Sequence, residues 1–354
     1  MSVIENAGAR ISALFHRQYV WGILAIVALL AVNLIKDPGY LAITTSGGHL
    51  VGNVIDIMRS AAPILMIAIG MALVIATAGI DLSVGSVMVV SGAVAMEFLN
   101  WAAESHSISV ALSALALALA VGTVLGVING VLVSYVRLQP FITTLVMMLA
   151  GRGIAKVITG GQNTAATNAP FRWIANGYVA GLPVVFLIAI VIVCIVAFIV
   201  RRSALGLMVE SIGINPKASR MAGIKPRGLL ITVYGMSAFL AAVAGIFATA
   251  SVMTVDVSRT GYQMELDAIL AVVIGGTSLA GGRFSLGGAV VGGLLIATLD
   301  KTVVFLGVSS SATPAFKAIV IVILCLLQSE RVRGILARRR RRLSLQEAKK
   351  EVLV

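Results

Sequence analysis

Residues 183–202 read Pro183-Val184-Val185-Phe186-Leu187-Ile188-Ala189-Ile190-Val191-Ile192-Val193-Cys194-Ile195-Val196-Ala197-Phe198-Ile199-Val200-Arg201-Arg202. Residues 206–224 then read Gly206-Leu207-Met208-Val209-Glu210-Ser211-Ile212-Gly213-Ile214-Asn215-Pro216-Lys217-Ala218-Ser219-Arg220-Met221-Ala222-Gly223-Ile224. The first stretch is apolar without a break from Val184 to Val200. A helix that crosses a bilayer needs about 20 such residues. A barrel strand would alternate apolar and polar positions instead. The second stretch is long, polar and basic, and apolar runs flank it. Lipid leaves backbone groups unpaired outside helices and closed barrels. The chain is therefore expected to be an all-α integral membrane protein.

Composition agrees. The 354 residues are 59% hydrophobic and 12% charged, with a mean hydropathy of +1.04. A soluble domain carries about a quarter charged residues. The net charge of +13 admits a nucleic-acid reading, but the positive residues flank apolar runs, where the positive-inside rule accounts for them. Cys194 and Cys325 lie inside apolar runs and read as small buried hydrophobes, not a disulfide or metal pair. His16, His49 and His106 are scattered over expected loops and ends, so no metal site is expected. The first apolar run lacks a small-residue cleavage site and reads as a retained span.

Hydropathy places about ten membrane helices, at 19–35, 57–78, 84–102, 109–136, 140–159, 183–200, 229–250, 266–281, 284–306 and 314–328. With the N-terminus inside, the inner segments hold Arg10, Arg17, Arg137, Arg201, Arg202, Lys217, Arg220, Lys225, Arg227, Arg283 and the tail. The outer loops hold only Lys36, Arg172 and Arg259. Both termini are thus expected to be cytoplasmic. The expected organisation is a cytoplasmic segment 1–18, a membrane domain 19–330 containing a cytoplasmic loop 201–228, and a basic tail 331–354. The tail carries Arg331, Arg333 and Arg338 to Arg342, and is expected at the anionic inner leaflet or against a cytoplasmic partner. Arg59, Arg152, Lys156, Lys301 and Lys317 fall within helices. Such side chains usually snorkel to the interface, and Arg152, the deepest, could line an external vestibule.

Glycine spacing carries further information. Gly122, Gly126 and Gly130 share one helix face, and Gly288 and Gly292 repeat the pattern. Small residues at this spacing let helix backbones approach closely. Two segments interrupt the apolar pattern: Ala78-Gly79-Ile80-Asp81-Leu82-Ser83-Val84-Gly85-Ser86 and Gly275-Gly276-Thr277-Ser278-Leu279-Ala280-Gly281-Gly282-Arg283. Gly79, Leu82 and Gly85 align with Gly276, Leu279 and Gly282, a weak internal repeat. Paired glycine interruptions often mark irregular backbone near a transport pathway; the alternative is two tight cytoplasmic turns. Asp81 is a functional candidate if buried, or an N-cap of the next helix together with Ser83. Glu265 and Asp267 open an apolar run expected at the outer side. There they complement a helix dipole or hydrogen-bond sugar hydroxyls. The outer loop 160–182 is rich in amides and hydroxyls, and suits either an external binding protein or a plain loop. No Gly-Lys dipeptide occurs, so a Walker-type phosphate loop is absent.

A pore does not need a loop like 206–224 to hold its fold. A transporter driven by a separate motor does, because the motor must push on something. Three stretches then carry a resemblance: Gly79-Ile80-Asp81-Leu82-Ser83-Val84-Gly85, Gly206–Ile224, and Glu265-Leu266-Asp267 through Gly282. Together the chain resembles, from about residue 20 to 330, the permease subunits of bacterial sugar ABC importers of the ribose type. Residues 151–159, 205–210 and Gly281-Gly282-Arg283-Phe284 are most similar to the galactofuranose importer permease. The arginine-rich tail exceeds what the family leads one to expect.

The resemblance implies a bundle of about ten helices in the bacterial inner membrane, paired with a second permease, itself or a paralogue. A periplasmic sugar-binding protein would deliver substrate. A cytoplasmic ATPase would bind ATP and Mg, this chain binding no cofactor and catalysing no reaction. The ATPase-coupling residues implied are Gly206, Glu210, Gly213, Asn215, Arg220 and Gly223. The candidate pathway residues are Asp81, Ser83, Asn129, Arg152, Glu265, Asp267, Thr277 and Ser278. Asn215-Pro216 suits the cap and first turn of a short helix. The competing readings are an ion-coupled sugar carrier, with Asp81, Glu97 and Asp300 as its only intramembrane carboxylates, and a structural or channel-like protein.

Overall fold

The computed structural model describes residues 19–309 and 311–328; the expected segment 1–18, with Arg10, His16 and Arg17, and the tail 331–354, with Arg331, Arg333 and Arg338 to Arg342, lie outside them. Helix α1 (Tyr19–Lys36) leads to a hairpin, β1 (Thr44–Ser46) and β2 (His49–Val51). Helices α2 (Asn53–Ala76), α3 (Val84–Ala102) and α4 (Ile108–Val131) follow, α4 ending in a wide π-type turn at Leu132–Val136. Next come α5 (Pro140–Ile158), β3 (Thr164–Ala165), α6 (Ala169–Asn176), the hairpin β4 (Tyr178–Val179) and β5 (Leu182–Pro183), and α7 (Val184–Arg202). Two short helices, α8 (Leu205–Ile214) and α9 (Pro216–Met221), precede α10 (Pro226–Val252). Strand β6 (Thr254–Val255), α11 (Met264–Ile274), α12 (Leu286–Phe305) and α13 (Thr313–Gln328) complete the described chain.

Among the described residues, eight helices are long and apolar enough to cross a membrane. They are not equivalent. The most apolar stretch of α2 is 78% buried, against 17% for α1. Helix α2 is therefore the axis of the bundle, with α7, α10, α11 and α12 packed around it, and α1 lies on the perimeter. A helix apolar all round and buried all round is what a central membrane span requires. Cys194 on α7 is exposed rather than buried, because α7 turns that face away from the bundle; the Cys325 side chain lies outside the described residues.

The connections sort into two ends. At one end Gly282 N–H donates to the Ala76 carbonyl at 2.9 Å, and Arg227 lies over the Tyr135 ring at 5.1 Å. At the other, β3 pairs with β6, Leu50 N–H donates to Gly181 O and Ala169 N–H to Ser105 O. The first end gathers the segments that carry Arg137, Arg201, Arg202, Lys217, Arg220, Lys225, Arg227 and Arg283, the residues that sequence asymmetry places together. The segment 160–182 is a folded cap: Asn168 accepts from Phe171 N–H and donates to the carbonyls of Glu104 and Ser107.

The run expected to span at 266–281 departs from expectation. Helix α11 has only 11 residues, about 16 Å of rise against a hydrocarbon core of about 30 Å. It stops at Ile274 because Gly276 takes φ +94, a conformation that ends right-handed helix and suits glycine.

The glycine stripes pack as their spacing predicts. A Cβ on Gly122 would meet Ala242 Cβ and Ser91 Oγ, each at 2.6 Å, and one on Gly130 would lie 2.7 Å from Ile231 Cα. Gly126 faces Ala238 Cβ and the Tyr234 carbonyl, so α4 lies directly on α10. Gly288 and Gly292 press against the carbonyls of Gly275 and Ala271, laying α12 on α11. Gly126→Val should destabilise the bundle by about 1–3 kcal/mol through overpacking, read as a lower unfolding temperature in detergent. Gly153→Ala, where nothing lies within 4 Å, should leave that temperature unchanged.

Candidate functional site

The expected coupling segment folds as α8 and α9. Asn215 caps α9, its side-chain oxygen accepting from Lys217 N–H at 3.0 Å and Ala218 N–H at 3.1 Å, with Pro216 in the first turn. Gly223, at φ +87, reverses the chain after α9. Gly206 has no room for a side chain, since its Cβ would lie 2.7 Å from the Val200 carbonyl, so α8 folds back under α7. Glu210 borders a cavity of about 300 Å³ with Arg201 and Phe284. Arg220 borders another of about 420 Å³ with Tyr135 and Arg227. Leu207, Ile214 and Met221 are exposed beside Lys217 and Arg220. An exposed apolar patch rimmed by charge suits a protein or a membrane contact.

Gly213 is where this segment meets the bundle. A Cβ there would collide with the Ala76 carbonyl and with Gly282 N. These are the two atoms of the hydrogen bond that joins the α2–α3 connection to the 275–285 connection. A Cβ on Gly281 would similarly strike Ala78 at 2.8 Å. The two glycine-interrupted segments therefore lie side by side, and Gly213 sits on their seam. Thr277 and Ser278 serve the second turn itself: Ser285 N–H donates to Thr277 Oγ1, Ser278 N–H to Arg283 O, and Ala280 N–H to Ser278 Oγ.

Past the seam, the first segment runs into the interior. Asp81 is 1% exposed. One carboxylate oxygen accepts from Ser83 N–H at 3.0 Å and Ser83 Oγ–H at 2.6 Å, the other from Ser237 Oγ–H at 2.9 Å. Asn129 on α4 donates to Ser83 Oγ at 2.9 Å, and Ser86 and Thr144 donate to the carbonyls of Ser83 and Ile80. Asp81 thus both organises the start of α3 and ties it to α10.

Glu265 and Arg152 come together. From β6 the chain turns back inside, burying Val255, Val257 and Gly261. Gly261 crosses Gly85 so closely that a Cβ on either would strike the other's carbonyl oxygen. Gly85 is the second residue of α3, so α11 starts inside the bundle and not at its outer surface, the position expected from sequence. Arg152 Nη2 donates to Gly261 O at 3.1 Å. Arg152 Nη1 and Glu265 Oε2 are buried without a hydrogen-bond partner among the described residues. A cleft of about 520 Å³, bordered by Tyr262, Gln263, Asp267, Thr313 and Lys317, opens beside this helix start. Gln263 holds φ +60, a strained conformation that clusters at ligand clamps.

Most of the in-helix cations are paired instead of snorkelling. Lys317 bridges Asp267 at 3.0 Å and Asp300 at 2.6 Å, and Lys301 pairs with Asp56 at 2.5 Å. Arg59 donates to the Tyr178 hydroxyl at 2.5 Å, and that ring stacks on His49. Lys156 is exposed, as snorkelling requires. Glu97 accepts from the Thr164 hydroxyl.

The profile of the family described as "Branched-chain amino acid transport system / permease component" matches residues 53–327. The chain belongs to this permease family. Within it, the ribose-type sugar importer permeases are its relatives, and it is a multi-pass protein of the bacterial inner membrane. The fructose import permease protein of Bifidobacterium longum (strain NCC 2705) is 50% identical over 348 residues, 97% of this chain and 96% of the relative. The galactofuranose transporter permease protein of Escherichia coli (strain K12) is 40% identical over 320 residues, 89% and 92% of the two chains. The ribose import permease protein of the same strain is 36% identical over 314 residues, 87% and 93%. No solved structure matches the chain.

Sequence reading missed two residues of the permease interior, Tyr234 and Ser237. Both are fully buried on α10, where a lone hydroxyl in an apolar run carries no periodic signal. It also missed α6, although Asn168 followed by Pro170 is a helix-start signature. Two outcomes follow from the geometry. Gly213→Ala should leave membrane insertion intact yet cut energised uptake about tenfold, a coupling loss within the usual range; uptake at the wild-type rate would remove Gly213 from the coupling path. Arg152→Ala frees the Gly261 carbonyl and should lower uptake by about tenfold, the loss of one charged hydrogen bond, at unchanged yield in membranes.

Proposed function

We propose that this permease is the membrane-spanning subunit of an ATP-driven importer for a neutral monosaccharide, with fructose the first candidate substrate and galactofuranose the second. The observation that carries the reading is the seat of Gly213 on the hydrogen bond between Ala76 and Gly282. A separate motor pressing on 205–224 would there act on both irregular connections of the bundle at once. In this reading the basic end is cytoplasmic. The exposed Leu207, Ile214 and Met221, with Lys217 and Arg220 around them, receive a separate ATPase that holds ATP and Mg. The opposite end, capped by α6 and the hairpins, receives a periplasmic binding protein. A second permease, a copy or a paralogue, completes the pathway.

The sugar path in this reading runs past the buried start of α11. A helix terminus inside a transporter bundle offers unpaired backbone donors at membrane depth. Arg152, Glu265, Gln263 and Asp267 supply donors and acceptors for hydroxyls. The fructose permease relative supports fructose by its higher identity. Galactofuranose keeps support from the residues at 151–159, 205–210 and 281–284. The ion-coupled alternative gains no support from the carboxylates, because Asp81, Glu97 and Asp300 are engaged separately by serines, a threonine and a lysine.

The test is uptake by the full chain, reconstituted with its ATPase, partner permease and binding protein. Labelled fructose, galactofuranose and ribose are offered with ATP on the basic face and no ion gradient. Saturable fructose uptake that stops when ATP is withheld is the expected result. Uptake that follows a sodium or proton gradient without ATP would restore the carrier reading.

A further inference from the structure

The coupling segment is joined to the bundle by two routes, and they reconverge. The covalent route leaves α9 through Gly223 and enters α10 at Pro226. The contact route passes from Gly213 to the end of α2 at Ala76, then along residues 77–83 into α3. They meet where Ser237 Oγ–H donates to Asp81 at 2.9 Å. Ser237 lies about 16 Å above the start of α10, by helix rise.

This meeting point is fixed from all sides. The Ser237 backbone packs on α2, since a Cβ on Gly70 would lie 2.9 Å from Ser237 Cα. Tyr234, three residues earlier on the same face of α10, fills the space a side chain on Gly79 would take, its hydroxyl 2.6 Å from such a Cβ. Asn129 brings in α4 through Ser83 Oγ. Asp81, Ser83, Asn129, Tyr234 and Ser237 are each no more than 1% exposed. A carboxylate this deep stays satisfied only while its hydroxyl and amide donors remain in place. Its three bonds occupy both oxygens, which turns Asp81 away from any role as a contact for a passing solute.

We propose that the Asp81–Ser237 hydrogen bond is a strut that makes the α2–α3 connection and α10 move as one body when the coupling segment is displaced. Asp81 and Ser237 are thus positioning residues for transport, acting through the helices they join. The proposal rests on the coupling role given to residues 205–224. Without the strut, displacement of Gly213 is absorbed in residues 77–83, and the α2–α3 connection and α10 move separately.

The experiment uses the full importer in lipid nanodiscs, wild type against Ser237→Ala, with Asp81→Asn as the second variant. Two quantities are read: sugar taken up per ATP hydrolysed in the matching proteoliposomes, and the change in amide hydrogen exchange of residues 77–83 on adding ATP. The strut predicts hydrolysis within about twofold of wild type and uptake per ATP lower by about five- to tenfold, the scale of an intersite coupling. It also predicts loss of the ATP-dependent exchange change. Uptake per ATP and an exchange response equal to wild type would overturn it. So would uptake and hydrolysis falling together with a lower unfolding temperature in both variants, the signature of a purely structural bond. If none of the three sugars is carried, the substrate reading fails, while the exchange measurement still decides the strut. If no ATPase binds the chain, the strut falls with the coupling role.

Discussion

Gly213 can carry no side chain, because the space belongs to the carbonyl of Ala76 and the amide of Gly282. The rest of the architecture depends on that exclusion. It brings a surface helix into backbone contact with both irregular connections at their seam. A methyl group in that space would part the surface segment from the bundle. Backbone-to-backbone packing at glycines recurs at Gly85 with Gly261, Gly275 with Gly288, and Gly292 with Ala271. In lipid, where hydrophobic burial does not drive helices together, such close approach is a principal source of association.

The same medium explains the polar interior. A buried carboxylate in a membrane domain must find donors or a cation. Asp81 finds three hydrogen-bond donors, and Asp267 and Asp300 share Lys317. Arg152 and Glu265 are left with one open valence each. At the start of α11 these open valences belong to two charged groups, whereas around Asp81 they belong to the neutral Asn129 amide oxygen and Tyr234 hydroxyl.

Much of this was legible in the sequence because membrane helices announce themselves by unbroken apolar runs. The span at Val184–Arg202, the stripe Gly122-Gly126-Gly130 and the cap at Asn215 follow from local rules that tertiary structure had no reason to override. The likeness of residues 78–86 to 275–283 was readable as a weak repeat, but their contact was not, because a repeat does not say that its copies touch. Other features were not readable. Hydropathy continues through Gly275 and Gly276 and so overstates α11, since a scale of side chains cannot see a backbone at φ +94. The pairing of Lys317 with Asp267 spans 50 residues of sequence separation, and nothing local distinguishes a paired lysine from one that snorkels. Ser237 looked like any small residue in an apolar helix until α2 and Asp81 were placed beside it.

The brevity of α11 has a consequence for how the protein is made. Eleven residues are too few to partition into a bilayer as an independent span. The segment must be delivered with a companion, and the lattice of Gly275, Gly288, Ala271 and Gly292 names it as α12, the next helix off the ribosome. The re-entrant stretch before α11 has a place to go only once α3 presents Gly85. The seat of the broken helix is thus made by its neighbours, Gly85 of α3 on one side and Gly288 and Gly292 of α12 on the other.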